Sequence, residues 1–275
     1  MNSTLKTRGL TAIVFITVMI FGLFFNSYTF IVLMSLIIAG SIWEFLSIAC
    51  ERNLLRKCLC IIGGVGIGLM IAFSNKLNLP LEYMIHVCYT IIFLTMLLSL
   101  LELTTKSAHP FQNISFGVFS IVYYALFIGS IFFISFEEGI YNSWLIFAII
   151  AMTWTNDTMA YLVGSQIGKT KLFLRMSPNK TWEGTIGGIF FTVIVAILFH
   201  SYIGQFDLGI WIILALIIGI FGSLGDIVES MLKRSLSVKD SGNLLPGHGG
   251  LLDRFDSFTF HLPLSVYFIE LSSSF

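Results

Sequence analysis

Residues 208–232 read LGIWIILALIIGIFGSLGDIVESML, a stretch with no charge from Leu208 to Gly225 that then meets Asp226 and Glu229. A helix needs about 20 predominantly apolar residues to cross the hydrocarbon core of a bilayer. This run supplies the length, and no proline or turn cluster interrupts it, so it reads as a membrane-spanning helix with acids at one end. Working outward, the same pattern recurs, giving about nine spans: 9–25, 28–49, 57–74, 83–103, 112–136, 142–164, 185–203, 208–232 and 254–271. The fold class is therefore all-α, a polytopic integral membrane protein.

Composition agrees. Of 275 residues, 56% are hydrophobic and only 11% charged, with a mean hydropathy of +0.92. Soluble domains carry roughly 25% charged residues, so this chain cannot cover a globule with polar surface. A cytosolic enzyme, a disordered tail and a secreted module are excluded. Basic and acidic residues balance at 15 each, which implies no general polyanion-binding field and no nucleic-acid partner. Cys50, Cys58, Cys60 and Cys88 form no CxxC pair and read as small apolar packers. Segment 9–25 follows Lys6 and Arg8 as a signal peptide would. It lacks a small-x-small cleavage site and runs through Asn26 into the next span, so it reads as an uncleaved anchor.

Charge placement tests the span count. With the N-terminus on one side and nine alternations, all the basic residues but Lys76 fall on that side. The positive-inside rule makes it cytoplasmic, which places the C-terminus outside the cell membrane. Two connections on the cytoplasmic side are long and polar, 165–184 and 233–253; the other loops are short. One integral domain, 1–275, with a catalytic half at 150–260, is the expected organisation.

Residues 156–256 carry eight bases and eight acids, more than half of all the charge. A carboxylate at the bilayer centre costs roughly 2.5–3.5 kcal/mol on insertion scales, so such groups face a cavity, a partner or an ion. Asp226 and Glu229 stand at i and i+3 on one helical face, with Lys233 a turn further. Asp253 and Asp256 repeat that spacing, and Asp157 sits inside span six. Single acids of this kind can simply lock helices together against nearby bases. Five near one membrane face point to a hard-cation site, because Mg²⁺ takes carboxylate oxygens together with water and phosphate.

The bases supply the complement. Lys233, Arg234, Lys239 and Arg254, interleaved with Asp240 and with Gly242, Gly247, Gly249 and Gly250, suit a phosphate cradle. Taken alone, they would equally serve as positive-inside anchors. His248 could donate to a phosphate, protonate a leaving group, or only pin its loop. In SPNKTWEGTIGG (177–188), Ser177 with Pro178 starts a turn, Lys180 and Thr181 offer phosphate or hydroxyl contacts, and Trp182 suits an interface or a stacked base. Ser177, Lys180, Thr181 and Glu183, with Gly249 and Gly250, form the candidate nucleotide-binding set. Gly184, Gly187 and Gly188 permit close helix packing. GSQIGKT (164–170) is not a P-loop: it has one residue too few between its glycines and follows a membrane helix rather than a strand. Gly64 and Gly68 read as a packing motif.

SMLKRSLSVKDSGNLLPGHGGLLDRFD (230–256) resembles the signature of the CDP-diacylglycerol synthase, or phosphatidate cytidylyltransferase, family. The segments DTMAY (157–161) and SPNKTWEG (177–184), and the early pair Trp43-Glu44, are similar to the family as well. Met159 departs from the glycine common there. The resemblance implies conversion of CTP and phosphatidate to CDP-diacylglycerol and pyrophosphate in phospholipid biosynthesis. It also implies a requirement for Mg²⁺ with one or two metals bound (the second divalent or monovalent), and a homodimer among membrane lipids. By position, Asp226 and Asp253 are the first choices for metal ligands, joined by Asp157 and Glu229 from the acid set. Lys233, Arg234, Lys239 and Arg254 would hold the triphosphate or the lipid phosphate, and Asp240, His248 and Asp256 complete the catalytic set. A CDP-alcohol phosphotransferase would require a DGxxAR pattern that is absent. A transporter would place its charges near midplane in two half-repeats, and none is visible.

Overall fold

Nine apolar runs fold as nine helical rods in the computed structural model, which describes residues 2–49, 53–105, 107–239, 241–242 and 249–273. Among these residues the rods are α1 (Asn2–Phe24), α2 (Ser27–Ile48), α3 (Leu54–Lys76), α4 (Met84–Thr104), α5 (Pro110–Ser135), α6 (Ser143–Ile167), α7 (Trp182–Ile203), α8 (Leu208–Ser235) and α9 (Leu252–Ser273). The seven helices α2 to α8 are long and apolar enough to cross a membrane, whereas α1 has a shorter apolar stretch, Thr11–Phe24, and α9 does not reach that apolarity. Among the described residues, seven of the about nine expected spans are therefore met. The last rod carries Asp253, Arg254, Asp256 and Glu270 along its 22 residues. The chain is a polytopic, predominantly helical membrane protein. Two small antiparallel hairpins interrupt it, β1 (Phe136–Glu137) with β2 (Ile140–Tyr141) and β3 (Lys171–Phe173) with β4 (Ser177–Thr181).

Contacts group the chain into two compact units, one of residues Met1–Tyr141 with Asp240–Asp253, the other of Asn142–Lys239 with Arg254–Phe275. In the first, α2 supplies the core through Phe30, Met34, Ile38, Ile42 and Phe45, all fully buried. Asn26 opens α2 with a capping box, its side chain accepting from Thr29 N at 2.8 Å. Gly68 of α3 comes so close to α2 that a Cβ there would stand 2.8 Å from Ile38, and Gly64 is pressed against Ile42 in the same way. The GxxxG pair therefore serves packing, as the sequence suggested. A π-helical turn, Ile121–Leu126, interrupts α5 and sets Tyr124 against the ring of Phe45, 5.7 Å between centroids.

Arg56, which the expected spans 28–49 and 57–74 leave in a connection, is buried inside α3. Its guanidinium pairs with Glu102 at the end of α4, and that carboxylate also accepts from Thr105 Oγ1 at 3.0 Å and Asn113 Nδ2 at 3.3 Å. A buried ion pair holds only when hydrogen bonds fill its remaining sites. This one ties the start of α3 to the end of α4 and the start of α5.

In the second unit a seam of small residues joins α6 to α7. A Cβ on Gly184 would lie 2.6 Å from the carbonyl oxygen of Ala160, and one on Gly188 would lie 2.8 Å from that of Asn156. Only glycine allows backbones this close. The seam brings TWTNDTMAY alongside SPNKTWEGTIGG, and on α8 Gly225 makes a comparable approach to Asp256 and Phe260 of α9.

Candidate active site

In the second unit the glycine seams bring four polar side chains from four elements to one place. Asp157 comes from α6, Lys180 from β4, Asp226 from α8 and Ser257 from α9. The Ser257 hydroxyl lies 3.0 Å from Asp157 Oδ1 and also hydrogen-bonds Asp226 Oδ1. Lys180 Nζ donates to the Ser223 carbonyl at 3.0 Å and pairs with Asp226 Oδ2. Asp256, whose Oδ1 accepts from Ser257 N at 2.8 Å, has Asp226, Glu229 and Asp157 as its charged neighbours. Three aspartates thus face one lysine. One hydroxyl proton cannot serve two carboxylates at once, so Ser257 donates to only one of Asp157 and Asp226 at a time.

Of this cluster, Asp157, Lys180 and Asp226 line a cavity of about 470 Å³ whose walls include Tyr161, Lys171, Asn179, Thr181 and Thr185. Roughly 300–1,000 Å³ is the usual size of a small-molecule site. Asn156 lines it too and is 1% exposed; its Oδ1 has no hydrogen-bond partner among the described residues. That oxygen is turned into the helix seam, where a Cβ on Gly188 would fall 2.8 Å from it and one on Gly219 3.4 Å.

The hairpin connecting α6 to α7 is fixed at its root. Glu183 accepts from the backbone N–H groups of Lys169 and Thr170 at 3.2 and 3.0 Å, and Trp182 N donates to Thr170 O at 2.9 Å. Thr181 caps α7 by accepting from Gly184 N at 3.2 Å. Of the expected nucleotide-binding set, Lys180 and Thr181 line the cavity, Glu183 braces the hairpin, and Ser177 stands in register with Phe173 on the sheet. Glu229 is paired with Lys233 at 3.1 Å, and Arg234 Nη1 donates to Val238 O at 3.3 Å beyond the end of its helix. Lys239 and Arg254 are exposed.

A second polar cluster belongs to the first unit. Asp253 Oδ2 accepts from Ser241 Oγ and Gly250 N, both at 3.0 Å. Glu44, 4% exposed on α2, accepts from Leu252 N at 2.9 Å and Ser241 Oγ at 3.3 Å. Gly250 is shut against Glu44, where a Cβ would fall 2.6 Å from Oε2, and Gly249 holds a positive φ of 85°. These glycines wrap a carboxylate as closely as a cradle would wrap a phosphate. Asp240 and His248 lie outside the described residues.

Sequence reading missed Asn156, Ser223 and Ser257. Ser223 stands one turn before Asp226 and Ser257 directly follows Asp256, so a search for hydroxyls beside the acids would have found both.

The described residues hold no group of three His, Cys, Asp or Glu able by itself to enclose a metal ion. Mg²⁺, however, is usually bound by one or two carboxylates, with water and substrate phosphate completing its shell. Asp157 and Asp226, both oxygen donors at the cavity wall, fit that mode of binding.

A helical membrane protein with an acid-and-lysine cavity suited to phosphate chemistry is the class these features define. The family model described as "Cytidylyltransferase family" matches residues 6–272, and the chain belongs to that family. Over 94% of its length it is 37% identical to a phosphatidate cytidylyltransferase of Staphylococcus saprophyticus, covering 97% of that protein. It is 41% identical over 187 residues to the Bacillus subtilis phosphatidate cytidylyltransferase, covering 68% of that chain. Against that of Staphylococcus aureus the match is 47% over 163 residues and spans 60% of the relative's length.

Proposed function

We propose that the protein is a phosphatidate cytidylyltransferase that transfers CMP from CTP to phosphatidate, giving CDP-diacylglycerol and pyrophosphate. The observation that carries this reading is the junction of Asp157, Lys180 and Asp226 at the cavity, with Ser257 bonded to both carboxylates, in a chain of this family. A phosphate oxygen of phosphatidate bonds to the α-phosphorus of CTP, and the bond from that phosphorus to the oxygen bridging the β-phosphorus breaks. The nucleophile is already ionised, so no general base is needed. Positioning and charge neutralisation do the work.

Lys180 and Lys171 bind phosphate oxygens at the cavity wall. Ser257 holds the two carboxylates in place. Asp226 and Asp157 would hold Mg²⁺, which supplies neutralising charge to the triphosphate. For Asp253, a part in metal binding rests on its place in the signature. The cavity faces the cytoplasm, where the charge asymmetry puts the N-terminus and where CTP is found. Phosphatidate keeps its acyl chains in the bilayer, and the chain works as a homodimer in the cell membrane.

The test is pyrophosphate release by purified protein in detergent with CTP, Mg²⁺ and phosphatidate. Release that stops on chelation and returns with Mg²⁺ supports the reading. No release with these substrates, but turnover of another lipid phosphate or nucleotide, overturns it.

A further inference from the structure

The hairpin between α6 and α7 does more than carry Lys180. Its two ends are membrane-spanning helices, Ser143–Ile167 and Trp182–Ile203, so its place at the membrane boundary is set by the chain itself. From Ser165 to Trp182 it contains Lys169, Lys171, Arg175 and Lys180 and no acid. Lys180 is engaged by Asp226. Lys169, Lys171 and Arg175 are exposed, and Glu183, the acid nearest in sequence, accepts from backbone groups at the hairpin root. At the tip, Phe173 is 47% and Leu174 71% exposed. An apolar tip flanked by bases is the pattern of a segment that lies in the headgroup layer of an anionic leaflet. Lys171, at the start of the first strand, also lines the cavity, so the docked surface runs into the site.

We infer that the hairpin 169–175 is an anionic-lipid docking element, with Phe173 and Leu174 seated at the headgroup–acyl boundary and Lys169 and Arg175 holding phospholipid phosphates. Anionic glycerophospholipid is the occupant, rather than free polyphosphate or a second copy of the chain. The charge of the hairpin matches the leaflet, its apolar tip suits the acyl boundary, and a soluble polyphosphate would leave Phe173 and Leu174 in water.

The test uses the full chain with its native cysteines replaced and Leu174→Cys carrying an environment-sensitive fluorophore, reconstituted in phosphatidylcholine vesicles with or without phosphatidylglycerol. Emission should shift to the blue as phosphatidylglycerol is added and be quenched by headgroup-region nitroxide lipids. Adding Lys169→Gln and Arg175→Gln should weaken the dependence on phosphatidylglycerol about fivefold for each charge removed. Because the cysteine-replaced chain could fail to fold, a second measurement uses the native-cysteine protein. Its immobilised fraction of spin-labelled phosphatidylglycerol, relative to phosphatidylcholine, should fall in Lys169→Gln/Arg175→Gln. Equal emission in both vesicle types, a shift that tracks protein density, a shift produced by soluble pyrophosphate, or an unchanged immobilised fraction would each overturn the inference. None of these readouts depends on turnover.

Discussion

Lys180 Nζ closes on the carboxylate of Asp226, 46 residues further along the chain, and in doing so anchors a hairpin strand to the acid-bearing end of a membrane helix. The contact gives the lysine two tasks. It neutralises part of an acidic cluster at rest, and it stands where incoming phosphate oxygens would compete for it. Lys180→Met should lower turnover about 100-fold or more, the scale expected for removing one charge-stabilising donor. Lys180→Arg should keep part of the rate. Pyrophosphate release at saturating CTP measures both.

Asp157 and Asp226 repel each other and share a single hydroxyl donor. Replacing Asp157 with Asn should abolish Mg²⁺-dependent turnover while leaving the melting temperature in Mg²⁺-free detergent equal to or above that of the parent, because a like-charge conflict is relieved and the Lys180–Asp226 pair is kept. Thermal unfolding followed by tryptophan emission, run beside the activity assay, checks the split. A large loss of melting temperature would show that this acid serves the fold.

Glu44 is the latch of the loop that carries the glycines of the signature. In Glu44→Ala the buried N–H of Leu252 loses its acceptor, which costs about 1–3 kcal/mol. Hydrogen exchange at residues 249–252 should speed up by at least tenfold, and turnover should fall with it. Glu44→Gln, which keeps one acceptor oxygen, should restore much of the protection. Unchanged exchange in Glu44→Ala would remove the latch.

Gly188→Ala tests the seam between α6 and α7. The added methyl would meet the carbonyl oxygen of Asn156 at 2.8 Å, and overpacking of this kind costs about 1–3 kcal/mol. The melting temperature should drop, and turnover should fall further because Asp157 follows directly on the displaced backbone. Ala at Gly209, where a Cβ meets nothing within 4 Å, is the matched control and should leave both unchanged.

Much of this architecture is legible in the sequence because hydrocarbon thickness imposes a length on every span. The stretch 208–232 corresponds to Leu208–Ser235 and 83–103 to Met84–Thr104. The acid set is legible too, since Asp157 and Asp226 have no reason to enter a membrane helix unless they meet something. What does not show is pairing at long range. Arg56 and Glu102 each look like an ordinary charge at a span end, and only the folded chain reveals that they bury each other. The hairpin 171–181 is hidden because its strands lack apolar–polar alternation and are held by Glu183 and Trp182 beyond them. Glu44 could be noticed by resemblance alone, as nothing local to α2 announces a partner beyond residue 240.

The Glu44–Leu252 hydrogen bond spans 208 residues. Helices α1 to α5 are therefore made early in synthesis yet wait for almost the entire polypeptide before their own unit is complete, and long-range closure of this kind is slow to form. A ribosome that stalls anywhere in the second half leaves a carboxylate stranded in the interior of the first. Nascent fragments of this protein would thus be born defective in a part already translated, a fault that membrane quality control could read.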